Sequence, residues 1–203
     1  MRGAFDLADG RRIEVRQIGP EDRDALARGF ERLGAESRYL RFFGPLDRLS
    51  DGQLTYLTDV DHHDHEALVA VDEETGEGVG VARFVRIAEG VAEPAVAVAD
   101  DWQRHGIGTR LLDELSDRAR EEGIHEFLAS VLADNVAAIA VLGHLGQTHI
   151  VNHGRELELR IALEDERGAV ASLRRLLRHT ADLSIRPSTS IWGRAAEGDP
   201  PAH

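Results

Sequence analysis

The spacing of apolar residues predicts most of the strands of this protein. Residues 11–18 alternate, with Ile13 and Val15 on one side, which is typical of a half-buried strand. Residues 66–71 form a continuous apolar run, and the turn sequence DEETGEG after it predicts a hairpin with residues 79–87. Further strands are predicted over residues 95–99, 124–132, 149–153 and 156–163.

The segments between these strands are predicted to be helical. The break at Gly19–Pro20 precedes a first helix, and a short second helix is predicted over residues 37–43. Ser50 is a favourable N-cap for a third helix. A longer amphipathic helix follows the strand at 95–99, and another is predicted over residues 136–145.

The end of the chain has a different character. Residues 169–180 carry an apolar stripe with helical spacing, and residues 184–203 are rich in Pro, Ser and Gly, which is typical of a flexible tail. The stripe is interpreted as packing on its own domain or on a second copy of the chain, with docking of a partner as the alternative. We expect a monomer or a homodimer.

Composition narrows the class of protein. The chain has 203 residues, the length of one ordinary domain with an appendage, and it is 42% hydrophobic and 30% charged. No run approaches the roughly 18 apolar residues of a membrane-spanning helix, and the first residues do not resemble a signal peptide. We therefore expect no membrane association and a cytoplasmic location, with which the absence of cysteine is consistent.

The charge of the chain bears on its partners. A formal net charge of −13 argues against nucleic-acid binding and favours cationic partners, although solubility alone is the simpler explanation of the charge. All 24 basic residues counted as Lys and Arg are arginine. The protein therefore offers no lysine side chain for its own acylation.

The most informative stretch covers residues 92–122. An apolar run ends in an Asp-Asp-Trp turn, which is followed by QRHGIG and at once by a helix. Glycines let the backbone approach a bound group, and the first turn of a helix presents unpaired N–H groups at its positive end. Such a turn suits a pyrophosphate. Neither the nucleotide P-loop pattern nor a complete GxGxxG is present.

These residues carry a family resemblance. The pattern Q/R-x-x-G-x-G/A, with Val98 five residues before Gln103, resembles the acyl-CoA-binding motif of the GNAT superfamily of N-acyltransferases. The resemblance covers residues 10–163 and implies an α/β (α+β) fold, a single GNAT domain whose mixed, mostly antiparallel central sheet is flanked by helices. Residues 164–203 would add a C-terminal helix and a tail. SRYLRFF, DHxDHxALVAV and AExAV are similar, more specifically, to bacterial protein acetyltransferases that act on acyl-CoA synthetases.

The resemblance implies that acetyl-CoA is the co-substrate and that an amine attacks its thioester directly. A backbone N–H near Val98, with Ala97 beside it, would donate to the thioester carbonyl where strand pairing is locally interrupted. The CoA phosphates are expected to be bound by the backbone amides of Gln103, Arg104, His105, Gly106, Ile107, Gly108 and Thr109, with Arg104 and Arg110 adding positive charge unless Arg110 points to solvent.

Glu93 matches the glutamate of AExAV, and the resemblance implies that it is the general base. A carboxylate half buried among apolar strands has a raised pKa, which suits a base that acts near neutral pH. The alternative is an ordinary glutamate at a hydrated strand edge.

Asn135 begins a motif similar to the superfamily's N-x-x-A-x-x-L. It is interpreted either as a ligand of the pantetheine arm or as a helix cap. Two positions depart from the family pattern. Leu142 stands where many members have a tyrosine as general acid, and Gln147 replaces an aromatic residue.

The run Asp61-His62-His63-Asp64-His65-Glu66 raises the question of a metal site. Six adjacent polar residues in an extended loop cannot all face one ion, so we expect no metal and a polar loop near the acceptor cleft. An alternative is that one histidine orients the acceptor amine. In SRYLRFF, the aromatic residues are interpreted as core and alternatively as the lining of the acceptor groove.

Three functions remain open at this point. The preferred hypothesis is an acetyltransferase whose acceptor amine belongs to a lysine of a protein of the acyl-CoA synthetase type. The alternatives are a small-molecule amine acetyltransferase and a catalytically weak acyl-CoA-binding module. An open groove beside Glu93 would favour a protein acceptor, and a closed pocket a metabolite.

Overall fold

The computed structural model describes residues 2–35, 37–38 and 47–163. Eight strands form one sheet in the order β1-β2-β3-β4-β5-β6-β8-β7. Only β5 and β6 pair in parallel among the neighbouring strands of this described sheet, so the predicted mixed, mostly antiparallel sheet is confirmed. The strands are β1 (Arg2–Asp6), β2 (Arg12–Gln17), β3 (His65–Asp72), β4 (Gly78–Ala88), β5 (Val91–Val98), β6 (Glu126–Leu132), β7 (Gln147–Asn152) and β8 (Glu156–Ala162).

Helices cover both faces of the sheet. Leu57 of α2 packs on Ala95 of β5, and Leu26 of α1 packs on the same cluster, so α1 and α2 share one face. Leu111 of α3 and Val141 of α4 belong to the larger core on the opposite face. Among the described residues, no helix is both long and apolar enough to cross a membrane. The helices are α1 (Arg23–Glu31), α2 (Asp51–Thr58), α3 (Ile107–Glu121) and α4 (Val136–Gly143), and two 3-10 turns are Pro20–Asp22 and Asp100–Trp102.

The predicted elements that fall on described residues are present, with two differences. Arg2–Asp6 forms an edge strand antiparallel to β2, so the sheet begins before residue 10, where the sequence prediction placed its start. The strand β5 begins at Val91 rather than at residue 95, which places Glu93 inside a strand. The short helix predicted over 37–43 falls mainly outside the described residues. The helix predicted over 169–180 and the tail after residue 183 lie wholly outside them.

The N-terminus of α2 follows the predicted cap. The Ser50 hydroxyl accepts a hydrogen bond from the backbone N–H of Gln53 (3.3 Å), and the Gln53 side chain accepts from the backbone N–H of Ser50 (2.8 Å). This reciprocal capping box satisfies two donors that would otherwise have no partner. Leu54 and Leu57 are buried on the side of α2 that faces the sheet.

A buried ionic cluster joins the start of β3 to the end of α3. Glu66 is fully buried, and its carboxylate accepts hydrogen bonds from Arg118 Nε (2.9 Å) and Gln17 Nε2 (2.9 Å). His62 Nδ1 donates to the same carboxylate (2.6 Å), and Arg118 also donates to the His62 carbonyl (3.3 Å). Burial of a carboxylate is tolerated when its oxygens are bonded in this way. The Glu66–Arg118 pair thereby fixes the direction of α3 across the sheet.

We predict that Glu66→Ala lowers the free energy of unfolding by about 3 kcal/mol, because it leaves Arg118 without its buried partner. Urea denaturation followed by circular dichroism measures this. The matched control is Glu121→Ala, which removes an exposed partner of the same arginine and should change stability by less than about 1 kcal/mol. Equal losses in both variants would contradict a special role for the buried pair.

Candidate active site

The two central strands separate soon after they begin. Pairing between β5 and β6 is limited, in the described structure, to Val91 with Glu126 and Ala92 with Phe127. Both strands continue beyond this point, β5 to Val98 and β6 to Leu132. A gap therefore opens in the middle of the sheet.

Pro94 gives a physical reason for the gap. The backbone N–H of Ala99 donates to Val79 on β4 (2.9 Å), so the alternation of the strand points the backbone of residues 94, 96 and 98 toward β6. Proline has no N–H, and Pro94 removes a donor directly after the last residue that pairs with β6. The ladder stops where its next donor is missing.

The edge of β5 beyond Pro94 lines the gap. By the same alternation, the backbone N–H groups of Val96 and Val98 face this space, and the Val98 carbonyl on the same edge accepts from Gln103 Nε2 (3.2 Å). The register thus confirms that strand pairing is interrupted near Val98, although a donor role for its N–H stays a prediction. Donors that are held in place before a ligand arrives suit the stabilisation of a developing negative charge.

The loop between β5 and α3 has the geometry of an anion site. Arg104 and Gly106 both have left-handed backbone angles (φ 66° and 77°), and Gly106 is the N-cap of α3. The first N–H groups of a helix lack intrahelical partners, and here they belong to Ile107, Gly108 and Thr109. Thr109 is 8% exposed, and its hydroxyl has no hydrogen-bond partner among the residues that the structure describes. An orphaned hydroxyl at an open helix N-terminus fits a phosphate-bearing ligand.

Other side chains of the loop hold its shape. Gln103 Nε2 donates to Asp100 Oδ1 (3.0 Å) as well as to Val98, and His105 Nδ1 bonds the Gln103 carbonyl (2.8 Å). The Asp100 carboxylate also accepts from Gly34 N–H (3.0 Å), which ties the loop to the end of α1. The side chains of Gln103 and His105 are engaged within the loop, where they order its backbone. That the backbone amides of these residues bind the ligand stays a prediction.

Sequence reasoning missed the support that the β1–β2 turn gives to this loop. The Arg11 guanidinium lies 3.8 Å from the centre of the Trp102 ring, and Asp9 binds Arg11 (2.6 Å) and lies 3.8 Å from His105 Nε2. The sequence did contain a signal for this turn, because Asp9-Gly10 is a dipeptide typical of hairpin turns and follows the residues that form β1. Arg110 is directed away from the loop, because it binds Glu114 (2.8 Å).

Glu93 lies in β5 on the face covered by α1 and α2. It alternates with Ala95 and Ala97, whose side chains pack on that face. Only 6% of Glu93 is exposed, so it is more deeply buried than the half-buried position predicted from the sequence. A carboxylate is thus placed on the same strand as the donor edge, a few residues before Val98.

An apolar pocket lies on this face beyond Ala95, toward the end of β5. It has a volume of about 600 Å³, which includes space open to solvent, and it separates α1 from the sheet. Ala97 and Ala99 belong to its lining, and Glu93 does not. The pocket therefore lies farther along β5 than the candidate base and does not enclose it.

Residues of α4 play structural parts. The Asn135 side chain accepts from the backbone N–H of Ala138 (3.1 Å), and Asn135 is 2% exposed. Of the two interpretations, this geometry is that of the helix cap. Leu142 is buried in the core, so position 142 supplies no proton donor, and Gln147 is exposed at the start of β7.

The histidines of the loop before β3 separate in space. His62 binds Glu66, His63 binds Glu122 at the end of α3, and His65 lies beside Arg83. Within the described ranges, no three His, Asp or Glu side chains form a group that could hold a metal ion. The segment is a turn and not the extended loop expected from the sequence: His62 has φ 57°, and Asp61 Oδ1 accepts hydrogen bonds from the backbone N–H groups of His63, Asp64 and His65. The turn directs the three histidines to different partners.

Known proteins with similar sequences are acetyltransferases. Residues 31–146 match the model of the "Acetyltransferase (GNAT) family". An acetyltransferase of Pseudomonas aeruginosa is 35% identical over 147 residues, which cover 70% of this chain and 79% of the relative. Acetyltransferase Pat of Mycolicibacterium smegmatis is 34% identical over 134 residues, which cover 65% of this chain but only 40% of that longer relative.

A solved structure agrees with these matches. The GNAT domain of S. lividans PAT superimposes with a TM-score of 0.73 at 31% identity, and the match covers 80% of this chain and 97% of that domain. The order of strands and helices that the sequence predicted is therefore that of a GNAT domain.

We predict that Gly106→Ala weakens acetyl-CoA binding about tenfold, because an L-residue in the left-handed region costs roughly 1–2 kcal/mol and the loop would relax away from its present shape. Isothermal titration calorimetry measures the change. Gly123→Ala is the matched control, since Gly123 has φ 74°, equally open surroundings, and lies just beyond the opposite end of α3. Equal weakening in both variants would show that the loop geometry is not the cause.

Proposed function

The chain belongs to the GNAT family of acetyltransferases, and from this premise we propose that it transfers the acetyl group of acetyl-CoA to lysine side chains of proteins. The observation that carries the proposal is the position of Glu93, a buried carboxylate on the strand whose free edge lines the gap. The resemblance of AExAV and DHxDHxALVAV to protein acetyltransferases, and the similarity to Pat, support a protein acceptor.

The residues at the gap would bind acetyl-CoA at two places. The first-turn N–H groups of α3 and the Thr109 hydroxyl would bind the CoA phosphates, and the exposed Arg104 would add positive charge. The pantetheine arm would lie in the gap beside Val96 and Val98 and pair with the free edge of β5 as a missing strand would. When bound, acetyl-CoA supplies an acyl group that is already activated as a thioester.

The protein must then remove a proton from the acceptor amine and stabilise the negative charge that develops on the thioester carbonyl oxygen. A lysine amine has a pKa of about 10.4 and arrives mostly protonated, so it must lose a proton before its nitrogen can form the new C–N bond. Glu93 would take that proton. The N–H of Val98 would donate to the carbonyl oxygen as it gains negative charge. The C–S bond then breaks, and the nitrogen releases its second proton to the departing thiolate as the amide forms.

The departing sulfur needs no proton donor from position 142. A thiol has a pKa of about 8.5, so a thiolate is an acceptable leaving group near neutral pH. Leu142, which stands where many members have a tyrosine, is therefore compatible with catalysis. This weakens the alternative of an inactive acyl-CoA-binding module.

The acceptor class is tested by CoA release from acetyl-CoA with purified acyl-CoA synthetases and, in parallel, with a panel of small amines. We expect release with at least one synthetase and an acetylated lysine in it by mass spectrometry. Release with small amines alone would establish the second candidate, which the net charge of −13 also suits. Binding of acetyl-CoA without release on any acceptor would refute the proposal.

We predict that Glu93→Gln lowers kcat by about 10²-fold, the usual contribution of one general base, and leaves acetyl-CoA affinity unchanged. Glu126→Gln is the matched control, because Glu126 pairs with Val91 and so lies on the same face of the neighbouring strand. Steady-state kinetics and calorimetry give the two quantities. An undiminished kcat in Glu93→Gln would remove this residue from the mechanism.

A further inference from the structure

A fully buried arginine lies on the sheet face that α1 and α2 cover. Arg83 of β4 stands between Ala67 of β3 and Ala95 of β5, in the row next to Glu93. Its NH2 group donates to the Leu57 carbonyl in the last turn of α2 (3.1 Å), and its NH1 group lies 2.9 Å from His65 Nε2. Burial of a guanidinium opposes folding, and apolar residues often replace buried charges with a gain in stability. Arg83 therefore invites an explanation beyond stability.

The contact with Arg83 determines the tautomer of His65. A guanidinium can only donate, so Nε2 of His65 accepts and the ring proton is on Nδ1. Burial, followed by the positive charge of Arg83, lowers the pKa of His65 to about 4. His62 acts in the same direction, and Asp61 opposes both. His65 is therefore a neutral imidazole across the physiological pH range.

His65 and Glu93 stand at the two ends of one row across the sheet. His65 of β3 pairs with Val85 of β4, and Val85 pairs with Glu93 of β5, so the three side chains share a face. Strands lie about 4.8 Å apart, which separates the Cα atoms of His65 and Glu93 by roughly 10 Å. An extended lysine side chain spans roughly 6 Å from Cα to its nitrogen. A lysine whose nitrogen reaches Glu93 would thus cross Val85 and have its main chain near His65.

The outer end of this row carries an aromatic surface. The rings of Tyr56 on α2 and His65 lie 5.0 Å apart at an angle of 40°, and Tyr56 is 40% exposed. A tyrosine ring accommodates the aliphatic stem of a lysine and attracts its ammonium group. A neutral His65 beside it avoids the repulsion that an imidazolium would exert on the same cation.

We propose that the row from His65 to Glu93 is the binding subsite for the acceptor lysine, and that Arg83 is its positioning residue. This inference rests on the function proposed above. Tyr56 and His65 form the mouth of the subsite, Val85 its floor, and Glu93 its inner end. Arg83 holds His65 as the Nδ1–H tautomer and anchors the end of α2 that carries Tyr56.

The role of Tyr56 and His65 at the mouth is tested by whether their replacement changes the KM for the acceptor without changing the KM for acetyl-CoA. With the acceptor that the wild type acetylates fastest, Tyr56→Ala and His65→Gln should each raise the acceptor KM about tenfold and leave the KM for acetyl-CoA within about twofold. His63→Gln is the matched control, because His63 belongs to the same loop but binds Glu122 at the end of α3. It should change neither constant.

The role of Arg83 is tested by pH dependence. In Arg83→Met, the pKa of His65 should rise from about 4 but stay below its ordinary value, because burial is the larger cause of its lowering. The ratio of variant to wild-type acceptor KM should therefore rise severalfold as the pH falls from about 7 to about 5. The double variant Arg83→Met/His65→Gln should lose this dependence, because no imidazole remains to be protonated. A purely structural loss would instead raise the ratio equally at every pH.

The outcomes separate the two proposals. Turnover by the wild type with an unchanged acceptor KM in both Tyr56→Ala and His65→Gln would overturn the subsite and leave the proposed function intact. A ratio independent of pH in a folded Arg83→Met would overturn the positioning role. If Arg83→Met does not fold, Arg83→Gln removes the charge but can still donate to His65, and its ratio should rise in the same way as the pH falls; a flat ratio in that variant would overturn the positioning role. A wild type that binds acetyl-CoA but acetylates no amine would overturn both proposals.

Discussion

The candidate site depends on one interrupted ladder. Pro94 cannot donate to β6, and the two central strands separate from that point, so the edge of β5 beyond it is open. The other edge of β5 pairs with β4 along nearly its whole length, which keeps the strand in place although one side has no neighbour. Donors at Val96 and Val98 are therefore oriented by the sheet before any ligand binds, and this preorganisation is the property that stabilises developing charge.

A second constraint orients α3 relative to the gap. At its C-terminal end, Arg118 is bound to the buried Glu66, and at its N-terminal end the loop is held by Asp100 and by the stacking of Arg11 on Trp102. Because both ends are tied to the sheet, the helix N-terminus cannot drift away from the free edge of β5. The left-handed angles of Arg104 and Gly106 persist because their surroundings determine them in this way.

Local patterns in the sequence were sufficient for most of the fold, because burial repeats every two residues in strands and at about 3.6 in helices. They were insufficient for β1, in which Phe5 is the one large apolar residue. They also missed the burial of Arg83, because a charged residue within an apolar strand is ordinarily expected to face solvent. Which side chains meet across a sheet depends on register, and register is set by contacts distant in sequence. The motif around Gln103 predicted the loop, whereas the row that joins His65 to Glu93 required the structure.

The two buried charges on the α1/α2 face explain each other. Arg83 and Glu93 occupy adjacent rows of neighbouring strands, a diagonal separation of about 7–8 Å on a pleated sheet. A positive charge at that distance compensates a buried carboxylate better than apolar neighbours alone would. An approaching ammonium ion then meets a face whose opposite charges offset each other, with a neutral imidazole at its edge. A buried arginine that opposes folding is thus consistent with a surface built to receive a cation and remove its proton.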